Sequence, residues 1–487
     1  MDSLFEKTGV HIPEILLPAK GTNLARWSVV ACDQYTSQPD YWQRVNDEVD
    51  DSPSTLKLTF PEIYLKEDDK DSRIININQT MTQYISQGKL EPLKPGFILV
   101  DRSTPHAASR KGLILAVDLE CYDYHDGSQT LIRATEGTVL DRLPPRVKIR
   151  ENAPIELPHI MLLIDDPGKT VIEVLFENTN SYDKLYDFDL MQGGGHICGW
   201  KVEDDESLSM IASALEKLAD PTVFAQKYNL EKRGDGSSVS SSSQKEDYEK
   251  GVLLFAAGDG NHSLASAKAH WENVKIKLLQ RTSAEQTTPS QHAVPAHPAR
   301  YALVEVINVH DEGLVFEPIH RVLFGIDTTT VLESIKNICC MGTNSQYSLE
   351  YKLFNSQTAM EAAISRMTKA NDAKSKKTAH LLPFILEGTY GLITVHHPSC
   401  SLEVGTLQYI IDSLIKEDAN VEVDYIHGSQ VVTEIGSKKN CMGFYLPAMD
   451  KHDLFRTVIL DGVLPKKTFS MGEAEEKRYY LECRRIV

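Results

Sequence analysis

Six residues, Gly258-Asp259-Gly260-Asn261-His262-Ser263, bring two glycines, a carboxylate, an amide, an imidazole and a hydroxyl into one short stretch. The apolar run 252–257 leads into them, and Leu264, Lys268, Trp271 and Val274 follow at helical spacing. A strand that turns through glycines into a helix start aims free backbone N–H groups and the positive end of the helix dipole at its ligand, which suits a phosphate. Gly258 and Gly260 would let phosphate oxygens approach the main chain. Asn261 and Ser263 would donate hydrogen bonds, and His262 would neutralise charge or carry a proton. Asp259 among phosphates is repulsive unless a divalent cation bridges them or a substrate hydroxyl gives up its proton there, so it reads as a metal ligand or a base. The expected chemistry is phosphoryl transfer. The plainer alternative is a tight turn whose glycines supply positive φ and whose Asn261 or Asp259 caps the helix.

Other stretches could serve the same site. Arg142, Arg146, Lys148 and Arg150 put four cations into nine residues of an acidic chain, a positive wall for a polyphosphate or else a solvated loop and edge strand. Glu136 is a second candidate base. Glu305 interrupts the apolar run 301–309, and Arg321 follows another apolar stretch. Both must find partners if buried, in a site or in a structural ion pair. Gly193-Gly194-Gly195-His196 reads as a flexible turn that could close over a ligand or place His196 in a site, or as a plain loop; His427 stands before a glycine turn; and 464–472 reads as a basic flap over a groove or, equally, a surface strand with a basic edge. Gly258-x-Gly260-x-x-Ser263 falls short of the dinucleotide fingerprint, because the third glycine and the later acidic residue are missing, and no phosphate-binding P-loop sequence occurs.

The elements that must position these groups come from a 487-residue chain, long enough for two or three units, with 41% hydrophobic and 25% charged residues. A formal net charge of -18 opposes binding to nucleic acid or an anionic membrane. Eight cysteines without a Cys-x-x-Cys pair fit reduced thiols better than a disulfide framework, and a structural zinc site is not expected. With no signal-like start and no long apolar span, a soluble cytoplasmic protein is expected.

Strand-like runs fall at 27–32, 97–100, 113–119, 160–164, 171–176, 301–309, 381–386 and 390–395, with helical patterns at 208–218 and after 263. Strands and long helices do not alternate strictly, so an α+β fold with a mixed sheet is expected. The polar tract at 234–246 reads as a disordered insertion, and 281–298 and 371–377 read as loops. An N-terminal domain is placed at 1–325 and a C-terminal α/β unit at 326–487, ending in a solvated helix at 473–478.

The blocks Trp27-Ser28-Val29-Val30-Ala31-Cys32-Asp33-Gln34-Tyr35, Arg133-Ala134-Thr135-Glu136-Gly137-Thr138, 143–152, 258–264, 300–310, 316–321, 424–428 and 464–472 resemble those of the family called domain of unknown function 1015, across nearly the whole chain. The resemblance implies a ParB and sulfiredoxin-like fold, whose members include nucleotide-binding proteins and a free serine kinase with an Asp-Gly-His-His-Arg type motif. Asp259 and Gly260 match its first two positions, Asn261 replaces the first His, His262 matches the second, and Ser263 replaces the Arg. A guanidinium to clamp phosphate must then come from Arg142, Arg146 or Arg321. What the resemblance implies is an ATP- or ADP-dependent small-molecule kinase using Mg, with a noncatalytic nucleotide-binding or assembly protein as the alternative. ParB-like DNA binding conflicts with the acidic charge. The oligomeric state is left open.

Overall fold

The computed structural model describes residues 4–230, 250–284, 297–340, 348–372, 379–398, 400 and 402–487. The insertion expected at 234–246, most of the 281–298 stretch and residues 373–377 lie outside the described residues. The chain forms two compact units, Met1–Val315 with Met471–Val487, and Phe316–Ser470. This corrects the expected division at 325: Phe316–Phe324 is a strand of the second unit's sheet, paired to Glu422–His427 and Cys441–Phe444, and the last residues return to the first unit.

In the first unit a ten-stranded sheet runs in the order Asp183–Asp189, His196–Val202, Phe97–Ser103, Arg110–Asp118, Tyr301–Asn308, Met161–Ile164, Phe255–Asp259, Ile132–Ala134 and Tyr122–Asp123, with Val10–His11 added beside Arg110–Asp118. Phe255–Asp259 is parallel to Ile132–Ala134 and antiparallel to Met161–Ile164, so the sheet is mixed as expected. Its central strands read as unbroken apolar runs because both faces are covered. Phe97 and Leu99 pack with the helices Asp205–Leu218 and Asn261–Ala284 through Leu208, Ile211, Leu264 and Trp271. Ile98 and Val100 point the other way, toward Ile77 and Met81 of the helix Lys70–Ser86 and toward Tyr480, Leu481 and Ile486 of the returning tail.

The second unit has its own mixed-element core. Its sheet path runs Ser348–Phe354, Thr389–His396, Ala379–Leu386, Cys441–Phe444, Phe316–Phe324, Glu422–His427, and the helices Val331–Cys340 and Glu403–Glu417 cover it through Ile335, Leu407, Ile410 and Ile411. Among the described residues no helix is long and apolar enough to cross a membrane.

Three local expectations fail for identifiable reasons. The run 27–32 is not a sheet strand: Leu24–Trp27 is a short helix capped by Asn23, and Val30 makes a single bridge to Arg478. The run 171–176 is mostly the helix Glu173–Phe176. The segment 473–478 holds a half-buried 3-10 turn, Ala474–Glu476, in which the buried Glu476 closes a capping box with Glu473, and not a solvated helix.

Candidate active site

The strand, turn and helix form where the sequence places them. Phe255–Asp259 ends in a register shift against Met161–Ile164: Ala257 pairs Leu162 and Asp259 pairs Met161, which leaves Gly258 as the extra residue of a bulge. A Cβ at Gly258 would meet the Met471 side chain at 2.8 Å, so the missing side chain is filled by the tail. Gly260 turns the chain at φ +74, and its carbonyl takes the first helical hydrogen bond, from Leu264 N–H at 3.0 Å. The helix Asn261–Ala284 then runs for 24 residues.

Around this turn the side chains divide into anchors and reactive groups. Thr135 donates to the Ala257 carbonyl at 2.6 Å, and His262 Nε2 accepts the Val139 N–H at 3.1 Å. That bond places the ring proton on Nδ1, so His262 anchors the loop that carries Glu136, rather than offering Nε2 to a substrate. Asn261 is 4% exposed, and its Oδ1 has no hydrogen-bond partner among the described residues. Thr138 Oγ1 on the docked loop is buried without one too. Ser263 Oγ lies 3.0 Å from Nε2 of His159.

Asp259 does not stand open to a metal. Its Oδ1 accepts the Gly260 N–H at 2.8 Å, and its Oδ2 lies 3.2 Å from Nζ of Lys477, a side chain only 16% exposed. Burial lowers the Lys477 ammonium, but Asp259, Asp33 and Glu136 together raise it above its ordinary value, so it stays charged. For Asp33, burial raises the carboxyl, while His159, the 2.9 Å hydrogen bond from Gln34, Lys477 and Arg146 outweigh it and hold the group below its usual range. His159 goes the other way. Burial lowers it, against the pull of Asp33 and Asp259, and the imidazole is neutral at pH 7.

Backbone pairing explains how distant residues meet here. Ala31 N–H donates to the Lys477 carbonyl at 2.7 Å and Tyr479 N–H to the Val29 carbonyl at 3.0 Å, which sets Asp33 and Lys477 side by side. Arg146 comes from the helix Leu143–Glu151, where a loop and edge strand were the plain alternative, and it pairs with Glu62 in a partly buried contact. Burial raises the Glu62 carboxyl despite that cation. A cavity of about 140 Å³ adjoins these groups, and Arg146, His159 and Ser263 line it together with the apolar Phe60, Met81, Leu157 and Leu303.

The remaining candidates fall elsewhere. Glu305 sits in the row Ile114, Glu305, Met161, Asp259 across four strands, and is 5% exposed. Its Oε2 meets Tyr480 OH at 3.1 Å and Arg110 at 3.4 Å, and Oε1 is buried without a partner among the described residues. A small internal cavity bounded by His159, Glu305, Lys477 and Tyr480 links this buried pair to the cluster. Arg142 is exposed and offers its carbonyl to Arg146 at 3.1 Å. Arg321 belongs to the second unit, where its guanidinium reaches the carbonyls of Ile319, Lys466 and Lys467 and covers the Tyr425 ring. Asp33, His159, Lys477 and Glu62 were not singled out from the sequence. Asp33 stood in a block already noted, but Lys477 looked like one charge in a solvated run.

The fold and site thus define a two-unit mixed α/β protein with a buried acid–base cluster at a strand-turn-helix junction. The family described as protein of unknown function (DUF1015) matches residues 16–414, and the chain belongs to that family. Among solved structures, a conserved hypothetical protein from Pyrococcus furiosus is similar at 12% identity, over 74% of this chain and 90% of that chain, with a TM-score of 0.32. A free serine kinase in complex with AMP is similar at 10% identity, over 77% and 91%, with a TM-score of 0.33. Comparison with curated proteins gave no match.

Proposed function

We propose that the first unit is a nucleotide-dependent phosphotransferase acting on a small hydroxylated molecule, in a cytoplasmic protein of ParB and sulfiredoxin-like kinship. The observation that carries this reading is the charged Lys477 held among Asp259, Asp33 and Glu136, beside a neutral His159 at the start of the helix Asn261–Ala284. Phosphoryl transfer asks a protein mainly for positioning and for charge opposite the moving group. Lys477 and Arg146 supply the charge. Asp33, kept ionised, is the group to take the acceptor hydroxyl's proton, and His159 is the second group able to accept one at neutral pH.

The residues fit a nucleotide. The apolar lining of the cavity beside Ser263 suits a base, Arg146 on the same cavity would meet a phosphate, and the neighbouring turn 258–261 with Lys477 would supply further charge and N–H groups. A bound ATP or ADP would supply the phosphoryl group. They do not fit Mg at Asp259, because both oxygens are engaged, one by an ammonium, and no step here is routed through it.

Thermal melts with ATP, ADP and AMP, paired with phosphorus NMR on a pool of hydroxylated metabolites, test the reading. Saturating nucleotide should raise the melting temperature by several degrees. Asp33→Asn should keep the shift and lose product. If no nucleotide shifts the melt, the reading is wrong. The noncatalytic alternative draws on one observation, that Asp259 is already satisfied by Lys477 and Gly260, and it predicts a shift with no product from the wild type.

A further inference from the structure

The hairpin at the far edge of the first sheet carries a second group of chemistry-bearing side chains. Asp183–Asp189 and His196–Val202 are antiparallel, with Asp187 opposite Cys198 and Asp189 opposite His196. On the next strand Asp101 stands opposite Cys198 and Ser103 opposite His196. Residues opposite one another, or two apart along a strand, share a face. Asp187, Asp189, His196, Cys198 and Asp101 therefore form one grid, while Tyr186 and Ile197 point from the other face into the core. The turn that fixes this register has little freedom. Gly195, at φ +84, would carry a Cβ 2.0 Å from the Ser103 carbonyl oxygen, and its own carbonyl accepts the Leu190 N–H at 2.8 Å.

We propose that Asp187, His196 and Cys198 form a binding site for a zinc-class divalent cation, with Asp189 orienting the imidazole. One donor atom from each of the three lies within 4.8 Å of the others. His196 Nε2 is 2.8 Å from Asp187 Oδ1 and 3.5 Å from Cys198 Sγ. Ligand atoms on a tetrahedral zinc stand roughly 3.3–3.8 Å apart, so small side-chain rotations close the set. Thiolate, imidazole and carboxylate together suit a borderline-soft ion better than magnesium or calcium.

The surroundings carry the argument further. Asp189 Oδ1 lies 2.7 Å from Nδ1 of His196, the carboxylate–histidine pairing that leaves Nε2 for a metal. Lys184 holds the second oxygen of Asp187 at 2.7 Å, which keeps that carboxylate on the hairpin face. Without metal, the His196 imidazole bridges the carboxylates of Asp187 and Asp189. On binding, the Cys198 thiol, and Nε2 of His196 where it carries a proton, release their protons to solvent, and the sulfur and nitrogen lone pairs form the metal bonds with no change of oxidation state. Three protein ligands leave a fourth position for water. The site stands apart from the phosphotransfer reading and shares none of its residues.

Cobalt(II), titrated into metal-stripped full-length protein, is the probe, because a thiolate ligand gives it a charge-transfer absorption. One equivalent should bind with that band, and zinc should displace it. Cys198→Ser should remove the band. His196→Gln should weaken binding at least about tenfold, and Asp189→Asn about 10- to 100-fold. Circular dichroism melts check folding, and if Cys198→Ser does not fold, His196→Gln decides the matter alone. A band that survives Cys198→Ser, equal affinity in wild type and His196→Gln, or no band in excess cobalt overturns the proposal.

Discussion

Lys477 is the residue on which the cluster turns. Its ammonium is 3.2 Å from Asp259 and is also acted on by Asp33 and Glu136, so three carboxylates share one mostly buried cation. Removing it leaves Asp259, itself 21% exposed, with one partner fewer and with like charges nearby. Breaking a buried pair costs more than the pair contributes, because the remaining charge is stranded. Lys477→Met should therefore destabilise the chain by about 2 kcal/mol, measured by chemical denaturation. Adding Asp259→Asn should return part of that loss, as a coupled pair in a double-mutant cycle does. If the loss in the double variant equals the sum of the losses in Lys477→Met and Asp259→Asn measured singly, the two groups are not coupled. The nucleotide-induced shift in melting temperature is the separate readout: it should disappear in Lys477→Met and in the double variant alike, whatever stability returns.

At the scale of elements, the strand-turn-helix was legible because its signals are local. An apolar run, two glycines and a helical pattern each act over a few residues, and Phe255–Asp259, Gly260 and Asn261–Ala284 form accordingly. The long central strands were legible for the same reason, as continuous apolar runs buried on both faces. What sequence could not separate was a short apolar run in a strand from one in a turn or short helix, which is where 27–32 and 171–176 went astray. The cation-rich segment 142–150 became the helix Leu143–Glu151 because Pro144 and Pro145 start a helix well, and its cations then found Glu62, Asp71 and Glu156. The two glycines of the turn make different demands. Gly260 needs positive φ, and a Cβ there would lie 3.0 Å from the Ile160 backbone, whereas a Cβ at Gly258 meets the flexible end of Met471. Gly260→Ala should cost about 2 kcal/mol or more, and Gly258→Ala about 1, since a Met side chain can move more easily than the packed Ile160 backbone. Equal losses in thermal melts would mean that the turn does not depend on the left-handed backbone.

At the scale of the whole molecule, the tail was the least legible part, because its meaning lies in contacts hundreds of residues away. Arg484–Arg485 pairs with Ile155–Glu156, Cys483 bridges Leu16, and Lys477 reaches Asp259, none of which a local pattern encodes. The same holds for ionisation, which is set by burial in the finished fold. His320 of the second unit is 5% exposed, and its Nδ1 accepts the Leu446 N–H at 3.0 Å. Burial, then Arg321 and His427, push it down to about 4, and burial does the same to His270 in the first unit. As pH falls, the unfolded chain takes up these protons first, near 6.5, so folding stability is level above 6.5, is lost progressively between 6.5 and 4, and levels again below 4. Each histidine can account for up to about 3 kcal/mol of that loss. Glu482 works in the opposite sense, since burial raises its carboxyl from 4.5 to about 7 and its contribution is lost as pH rises between those two values. A single acid-unfolding curve therefore mixes signs, and a variant isolates one group. Glutamine at position 320 keeps an acceptor for Leu446 but cannot take a proton. The stability gap between wild type and His320→Gln should shift in the variant's favour as pH drops from 6.5 to 4, read by urea unfolding at each pH. Parallel curves across that range would show that His320 is not held neutral by the fold.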